Sequence, residues 1–542
     1  MKPIGRKKAA AMLLTTLLFG SVIAGCSNNT KDSATENRTS ESVQTGNYPM
    51  ETDQTLTYWA ALPKSLTGVK SEHSEVPFYQ EWQKRTGVQV EFTAPPANQV
   101  EESFNVMLAS GELPDVIEYN FLGFPGGPEK AIEDGYILEL NDLIDQYAPN
   151  YKKYLQEHPE IDKMVKTDDG SYYAFPTIRE DDSQVTFQGP LIRKDWLDEL
   201  GLPVPETIDE WETALRAFKE KKGAAAPISF ISKPRVLNEL GNGAFVGAFG
   251  VTRDFYLEDG EVKFGPAEPG YKDFLALFRD WYAEGLLDKD IATVDSKVLD
   301  ANIASGETGA TWGLTGGGIG KWDPLLKEQN PNASIVAAPY PVLEKGTMPK
   351  FGQRDYAYSP GYMAAISGTT EHAELAVRML DYAYSEEGHM FFNFGIEGVS
   401  YEMVDGYPKY TDLLMNNPDK LAPAQAMSLY IRGNTGGPFV IDKRVTEQYL
   451  SMPEQREAVA IWQKTDMTKH QLPLVTPTPE ESAEFARIMA DVNTLVDEMT
   501  LKIILGAEPL DAFDSYVEKL KSVKLDRAIE IKEAALERYN NR

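Results

Sequence analysis

The stretch VEESFNVMLASGELPDVIEYN (100–120) holds a helix, a stop and a strand in one reading. Val100, Phe104, Met107 and Leu108 recur at helical spacing and share one face. Gly111 ends that pattern and Pro114 breaks the chain. Asp115–Tyr119 is then short and mostly apolar, as a strand should be. The sequence upstream has the same style. Residues 56–59 (LTYW) alternate like a strand, stopped by Pro63. Residues 75–86 suit a short amphipathic helix ended by Gly87, and 88–92 a second strand. A βαβα alternation with short connections predicts a mostly parallel sheet with helices on both faces.

Later segments extend the pattern. Strands are expected at 187–193, 309–314, 334–339 and 362–366. Helices are expected at 194–200, at 208–221 with Thr207 as N-cap, at 271–284 and at 371–384. From about 478 to 539 the chain reads as almost wholly helical. A chain of 542 residues is too long for one core and suits two large domains.

Apolar residues make up 42% and charged residues 25%, as in a soluble globular protein. Acids outnumber bases by 83 to 53, for a formal charge of −30. Such a surface repels nucleic acid and anionic headgroups and suits a neutral or cationic ligand. The single cysteine, Cys26, excludes an intrachain disulfide and a Cys₂His₂ or Cys₄ zinc site. At the N-terminus, Lys2, Arg6, Lys7 and Lys8 precede an apolar run over 9–24, too short to span a bilayer. It ends in Ile23-Ala24-Gly25-Cys26, which resembles the lipobox of bacterial lipoproteins. Residues 1–25 are therefore expected to be a signal peptide and Cys26 the lipidated residue. Residues 26–55 are polar and read as a flexible tether. Together these features place the protein on the extracellular face of the cell membrane, lipid-anchored.

Four stretches carry a wider resemblance: NVMLASGELPDVI (105–117), GPLIRKDWLDELGLPVPETIDEWETALRAF (189–218), FNFGIEGVSYEMVDGYPKYTD (392–412) and FDSYVEKLKSVKLDRAIEIKEAALERY (513–539). From about residue 51 onward the chain resembles the large lipoprotein extracellular solute-binding proteins (family 1 type) of Gram-positive carbohydrate ABC importers. The resemblance implies an α/β, two-lobed type II periplasmic-binding-protein-like fold with hinge crossovers and a helical C-terminal region. Lobe 1 is expected over 56–180 plus 360–400, and lobe 2 over 181–359 plus 401–542. Crossovers are expected near 175–187, near 358–362 and after 394–398. Many relatives carry an acidic, calcium-type loop after the helix matching 208–221. This chain reads EKKGAAAP (220–227) there, and two lysines with three alanines cannot supply a calcium ion's oxygen ligands. No cofactor and no metal at that loop are expected. The acidic clusters Asp168-Asp169-Gly170 and Asp288/Asp290 read as solvated turns.

No HExxH, P-loop or GxSxG motif is present, and the five histidines show no ligand spacing. No catalytic residue is expected. Sugar rings present apolar faces and hydroxyl rims, which flat aromatics and Asn, Asp, Gln or Arg side chains meet. Ligands of open α/β sheets lie beyond the carboxyl ends of strands. On that rule the candidate ligand-binding residues are Trp59, Tyr119, Asn120, Arg179, Asp182, Gln188, Trp312, Arg354 and Tyr362. Trp312 stands out because Gly316-Gly317-Gly318 follows it and would leave an indole face open. Trp82, Trp196, Trp211, Trp281 and Trp462 sit within helical patterns and read as core. The expected function is a non-enzymatic, membrane-anchored binding component of an ABC importer, taking an oligosaccharide in an interlobe cleft. Expected partners are the importer's permease subunits and, through the lipid anchor, the membrane, with no nucleic acid and a monomeric state. An extracellular polysaccharide-processing enzyme and a lipoprotein binding peptides or another organic solute stay open as alternatives.

Overall fold

A computed structural model describes residues 47–542 except 233–236, 238–239, 241–242 and 434–435. The leader, Cys26 and the expected tether up to residue 46 lie outside the described residues. Among the described residues thirteen strands follow in chain order: β1 Thr55–Trp59, β2 Gln89–Thr93, β3 Val116–Tyr119, β4 Phe175–Arg179, β5 Gln188–Arg193, β6 Phe255–Glu258, β7 Glu261–Phe264, β8 Ala310–Leu314, β9 Ile335–Ala337, β10 Tyr358–Ile366, β11 Tyr401–Val404, β12 Tyr407–Tyr410 and β13 Phe439–Ile441.

The opening stretch folds as its pattern requires. The helix Val100–Ser110 buries Phe104, and Gly111 closes it at φ 69°, a left-handed conformation that a glycine adopts without a Cβ penalty. β3 follows and joins a six-stranded sheet in the order β13-β4-β10-β3-β1-β2. β1 is parallel to both β2 and β3, and β13 to β4. β10 runs antiparallel to both its neighbours. The second sheet, β8-β5-β9, is antiparallel throughout. The expectation of mostly parallel strands thus holds only within the first sheet. Sequence periodicity reports which segments are strands and leaves their direction to the connections.

Each sheet has its own core. The first gathers Tyr58, Trp82, Phe175, Met363 and Phe392, with Phe439 and Val440. The second gathers Leu191, Trp211, Phe278, Trp281, Trp312 and Trp462 with the C-terminal helices. The five helical tryptophans read as core are all buried. Two boundaries differ from expectation. Tyr48 donates to the Arg378 carbonyl at 2.6 Å and packs edge-on against Tyr382, and Met50 is buried. The chain is therefore packed well before residue 55. Residues 401–441 also stay with the first lobe, because β13 pairs with Thr177–Arg179 of β4. Only past Lys443–Tyr449 does the chain re-enter the second core, with Ala458 and Trp462.

The chain crosses from β4 of the first core to β5 of the second over 180–187, returns from β9 to β10 over 338–357, and leaves β13 for the second core over 442–453. The crossovers lie side by side. Arg179 N donates to the Ala357 carbonyl at 2.8 Å, and Asp355 N to the Val185 carbonyl at 2.8 Å. Buried Gln353 clamps the first two: its Oε1 accepts from Phe187 N at 2.9 Å and its Nε2 donates to the Val185 carbonyl at 3.1 Å. Gln184 Nε2 donates to the Ile441 carbonyl at 3.1 Å, tying in the third. The third crossover was expected directly after 394–398. The chain there turns into the β11–β12 hairpin and β13 first, held by long-range pairing that local pattern does not encode.

The C-terminal region is helical over Pro479–Ile504, Ala512–Ser522 and Leu525–Asn540. Its last residues reach the first lobe. Arg538 Nε and Arg542 Nη2 donate to Asp168 at 2.7 and 2.6 Å. Asp168 is thus a bridged carboxylate, and Asp288 is buried, accepting from Ser229 Oγ at 2.6 Å. Neither is the solvated turn that its acidic neighbourhood suggests.

Candidate functional site

A cleft of about 770 Å³ opens between the two lobes over the crossovers. Within its range such a volume is large; ligand sites run roughly 300–1,000 Å³. The first lobe supplies Glu118, Tyr119 and Asn120 from the end of β3, with the segment 61–65 after β1. The crossovers and the strands that flank them supply Arg179, Ser183, Gln184 and Phe187, then Ser359 and Gly361, then Val445, Thr446 and Tyr449. The second lobe supplies Thr315 and Val459. β10 shifts register against β4 between Ser359 and Met363, so a bulge sits where Gly361 faces the cleft.

Tyr119 is braced from behind. Phe104 stacks on it with centroids 3.7 Å apart and planes 10° apart, and Trp59 meets it edge-on at 6.2 Å. One ring face is taken, and the half-buried ring is oriented for a ligand on its cleft side. Asn120 follows it at the cleft wall, and its side-chain oxygen Oδ1 is buried with no hydrogen-bond partner among the described residues. Across the cleft, Tyr449 packs against the glycine turn: a Cβ on Gly316 would sit 2.7 Å from the Tyr449 hydroxyl. The glycine run is therefore a close-approach turn beside the cleft, and the ring it admits is Tyr449.

Charge sits under the floor. Arg432 Nη2 donates to Glu118 Oε1 at 2.6 Å, Nη1 to the Tyr79 hydroxyl at 3.0 Å and Nε to the Gly436 carbonyl at 2.7 Å. Tyr58 donates to the other Glu118 oxygen at 3.0 Å. Glu118 holds the Arg432 guanidinium firmly protonated against its burial. Arg179 Nη1 donates to the Tyr356 carbonyl at 3.0 Å and pairs with Asp355 at 3.3 Å, while burial pulls its pKa below the usual arginine value.

Of the sequence candidates, Tyr119, Asn120 and Arg179 meet in the cleft. Tyr362 lies in β10 beside Gly361, and its side chain is outside the described residues. The others lie elsewhere. Trp312 is 1% exposed in the second core, edge-on to Tyr340 at 5.8 Å. The space beside its strand is filled by Leu191 and Trp322, which a Cβ on Gly313 would strike. The glycines there open room for core side chains, and no indole face is left for a ligand. Trp59 is 5% exposed and supports Tyr119 from the core. Asp182 and Arg354 form a surface pair at 2.7 Å outside the cleft lining. Gln188 opens β5, opposite Leu314, and is likewise outside it.

Sequence reading missed Glu118, Arg432, Phe187 and Tyr449. For Glu118 a signal existed: a carboxylate inside the buried strand Val-Ile-Glu-Tyr demands a buried partner. Arg432 and Tyr449 sit on segments whose local pattern says nothing of the cleft.

Among the described residues no group of three or more His, Cys, Asp or Glu is placed to hold a metal ion. No described helix is long and apolar enough to cross a membrane.

A family model described as bacterial extracellular solute-binding protein matches residues 71–390. The fructooligosaccharide ABC transporter substrate-binding protein FusA of Streptococcus pneumoniae is 27% identical, covering 98% of each chain. Lipoprotein LipO of Bacillus subtilis is 25% identical, covering 96% of each. The crystal structure of alginate-binding protein AlgQ2 without calcium ion is 27% identical, superposes with a TM-score of 0.70, and covers 90% of this chain and 99% of its own.

Proposed function

Because the chain belongs to the family of bacterial extracellular solute-binding proteins, we propose that it is the extracellular, lipid-anchored binding component of an ABC importer and captures an oligosaccharide between its lobes. The observation that carries this reading is the cleft itself. Two α/β lobes joined by three hydrogen-bonded crossovers can close like a hinge on a ligand. The walls offer what a sugar needs: braced Tyr119 for a ring face, and Asn120, Gln184 and Ser183 for hydroxyls. The volume suits several linked rings better than one. The name of the pneumococcal relative supports carbohydrate uptake, and that of LipO supports a lipoprotein.

Cys26, after Ile23-Ala24-Gly25, is the acylated residue in this reading, and permease subunits receive the loaded, monomeric protein. The protein is a carrier and turns nothing over. Among the described residues lining the cleft, the one carboxylate, Glu118, is paired with Arg432, which does not suit the two-carboxylate arrangement of a glycosidase.

A thermal-shift screen against sugars and peptides, with product analysis of each sugar mixture, tests the proposal. Stabilisation by an oligosaccharide without products is the expected result. Cleavage of the sugar, or stabilisation by peptides alone, would contradict it.

A further inference from the structure

We propose that Arg179 selects the ligand of the cleft, and that the glycan it selects carries carboxylates, as a uronate oligosaccharide does. This rests on the reading that the cleft binds carbohydrate.

Arg179 is held by one corner of its guanidinium. Nη1 donates to the Tyr356 carbonyl at 3.0 Å and lies 3.3 Å from Asp355. Nε and Nη2 have no hydrogen-bond partner among the described residues, and both keep accessible surface in a residue that lines the cleft. Those two nitrogens form the edge of the fork that meets both oxygens of a carboxylate at once. The side chain is 19% exposed, so its charge has left much of its water. Asp355 offsets only part of that cost. It is 41% exposed, where an ion pair contributes little, and burial still holds the Arg179 pKa below the usual arginine value. An anion docked on the open edge supplies the rest. A sugar hydroxyl can accept from one of the two nitrogens, yet it brings no charge to answer the guanidinium.

The rest of the lining agrees. Among the described residues it holds three cations, Lys64, Arg179 and Arg432, against one carboxylate, Glu118. Glu118 is spent on Arg432 at 2.6 Å, which leaves Arg179 and the exposed Lys64 as the charges a ligand meets. The chain as a whole has 83 acids to 53 bases, so the cleft runs against its background. Range decides which charge matters. The net −30 is spread over the whole surface and is largely screened beyond about 8 Å at physiological salt, whereas a carboxylate on Arg179 is in direct contact.

The test is calorimetric titration of the whole mature protein at pH 7 with tetragalacturonate and tetramannuronate, the methyl esters of both, and uncharged nystose, stachyose and maltotetraose. At least one uronate should bind, about tenfold or more tighter than its own ester and than every uncharged sugar. An ester or uncharged sugar binding as tightly as the better uronate would overturn the inference and leave the carbohydrate reading intact. Failure of both uronates to bind would overturn it too, and if a peptide alone stabilises the protein the carbohydrate reading falls with it. Two variants test the residue. Arg179→Gln removes the charge and the open edge, so it should weaken uronate binding about tenfold to a hundredfold without lowering the melting temperature. Unchanged uronate affinity in the folded variant would remove Arg179 from the site. Asp355→Asn leaves the guanidinium in place. It removes the competing carboxylate at a half-exposed position and keeps the oxygen that accepts from Gln353. Uronate affinity should then rise several-fold, and added salt should reduce that gain. An affinity equal to wild type would overturn the charge argument.

Discussion

Glu118 and Arg432, 314 positions apart in sequence, meet at 2.6 Å beneath the cleft with side chains 4% and 5% exposed. The pair joins β3 to the segment leading into β13, and so pins two far-apart stretches of the first lobe beside the ligand space. Breaking a buried pair strands a charge. Glu118→Gln should lower unfolding free energy by about 3–5 kcal/mol, read by urea denaturation. Combining it with Arg432→Met should cost less than the two single changes added together, since the stranded charge is gone.

Trp312→Ala should cost stability and spare binding. The indole is fully buried against Tyr340, so truncation should remove about 3–5 kcal/mol. The folded fraction should keep its ligand affinity. Melting temperature and calorimetry on the same sample separate the two effects.

His73 makes the fold acid-sensitive. Its ring stacks on Phe92 at 4.9 Å and meets Tyr79 edge-on at 4.6 Å, and both nitrogens are buried without partners among the described residues. Burial, aided by the Arg432 charge, lowers its pKa from 6.5 to about 3. The unfolded chain takes up the proton first, so stability falls as pH drops below 6.5 and goes on falling towards 3. By pH 5 the loss is about 2 kcal/mol at 1.36 kcal/mol per unit. Buried Asp381, pushed up to about 6, has the opposite sign: its folded pKa exceeds the unfolded value, so stability is gained as pH falls through 6. The difference between wild type and His73→Phe isolates the histidine. That difference should grow from pH 7 to pH 5, and a constant difference would contradict the assignment.

Calcium and EDTA should leave the melting temperature unchanged. The chain at Phe218–Lys222 forms a turn closed by Gly223, with Lys219 donating to the Glu284 carbonyl and Lys222 paired with Glu199. An occupied site at hundredfold excess over Kd would add about 2.7 kcal/mol, which a melting curve would register.

What the sequence disclosed, and what it hid, follows from range. The helix 100–110, the strand after it and the helix Lys194–Leu200 are written in local periodicity and in terminators such as Gly111 and Gly201. β13 is three residues long, and its place is set by Thr177, which accepts from Gly437 N at 2.7 Å. No window around 439 contains that partner. The same holds for the site. Tyr119 and Asn120 were legible because they end a recognisable strand, whereas Tyr449 enters the cleft only through the third crossover. Trp312 was misread because glycines beside a tryptophan look alike whether they admit a ligand or a packed core side chain.

The central claim is that the ligand sits on Tyr119 and Asn120 between the lobes. The direct test is calorimetric titration of wild type, Tyr119→Ala and Asn120→Ala with the oligosaccharide that stabilises the protein most. Losing the braced ring or the buried amide should weaken binding about tenfold to a hundredfold, or roughly 1.4–2.7 kcal/mol, with far-UV spectra unchanged. Affinity equal to wild type in both folded variants would place the ligand elsewhere and contradict the account.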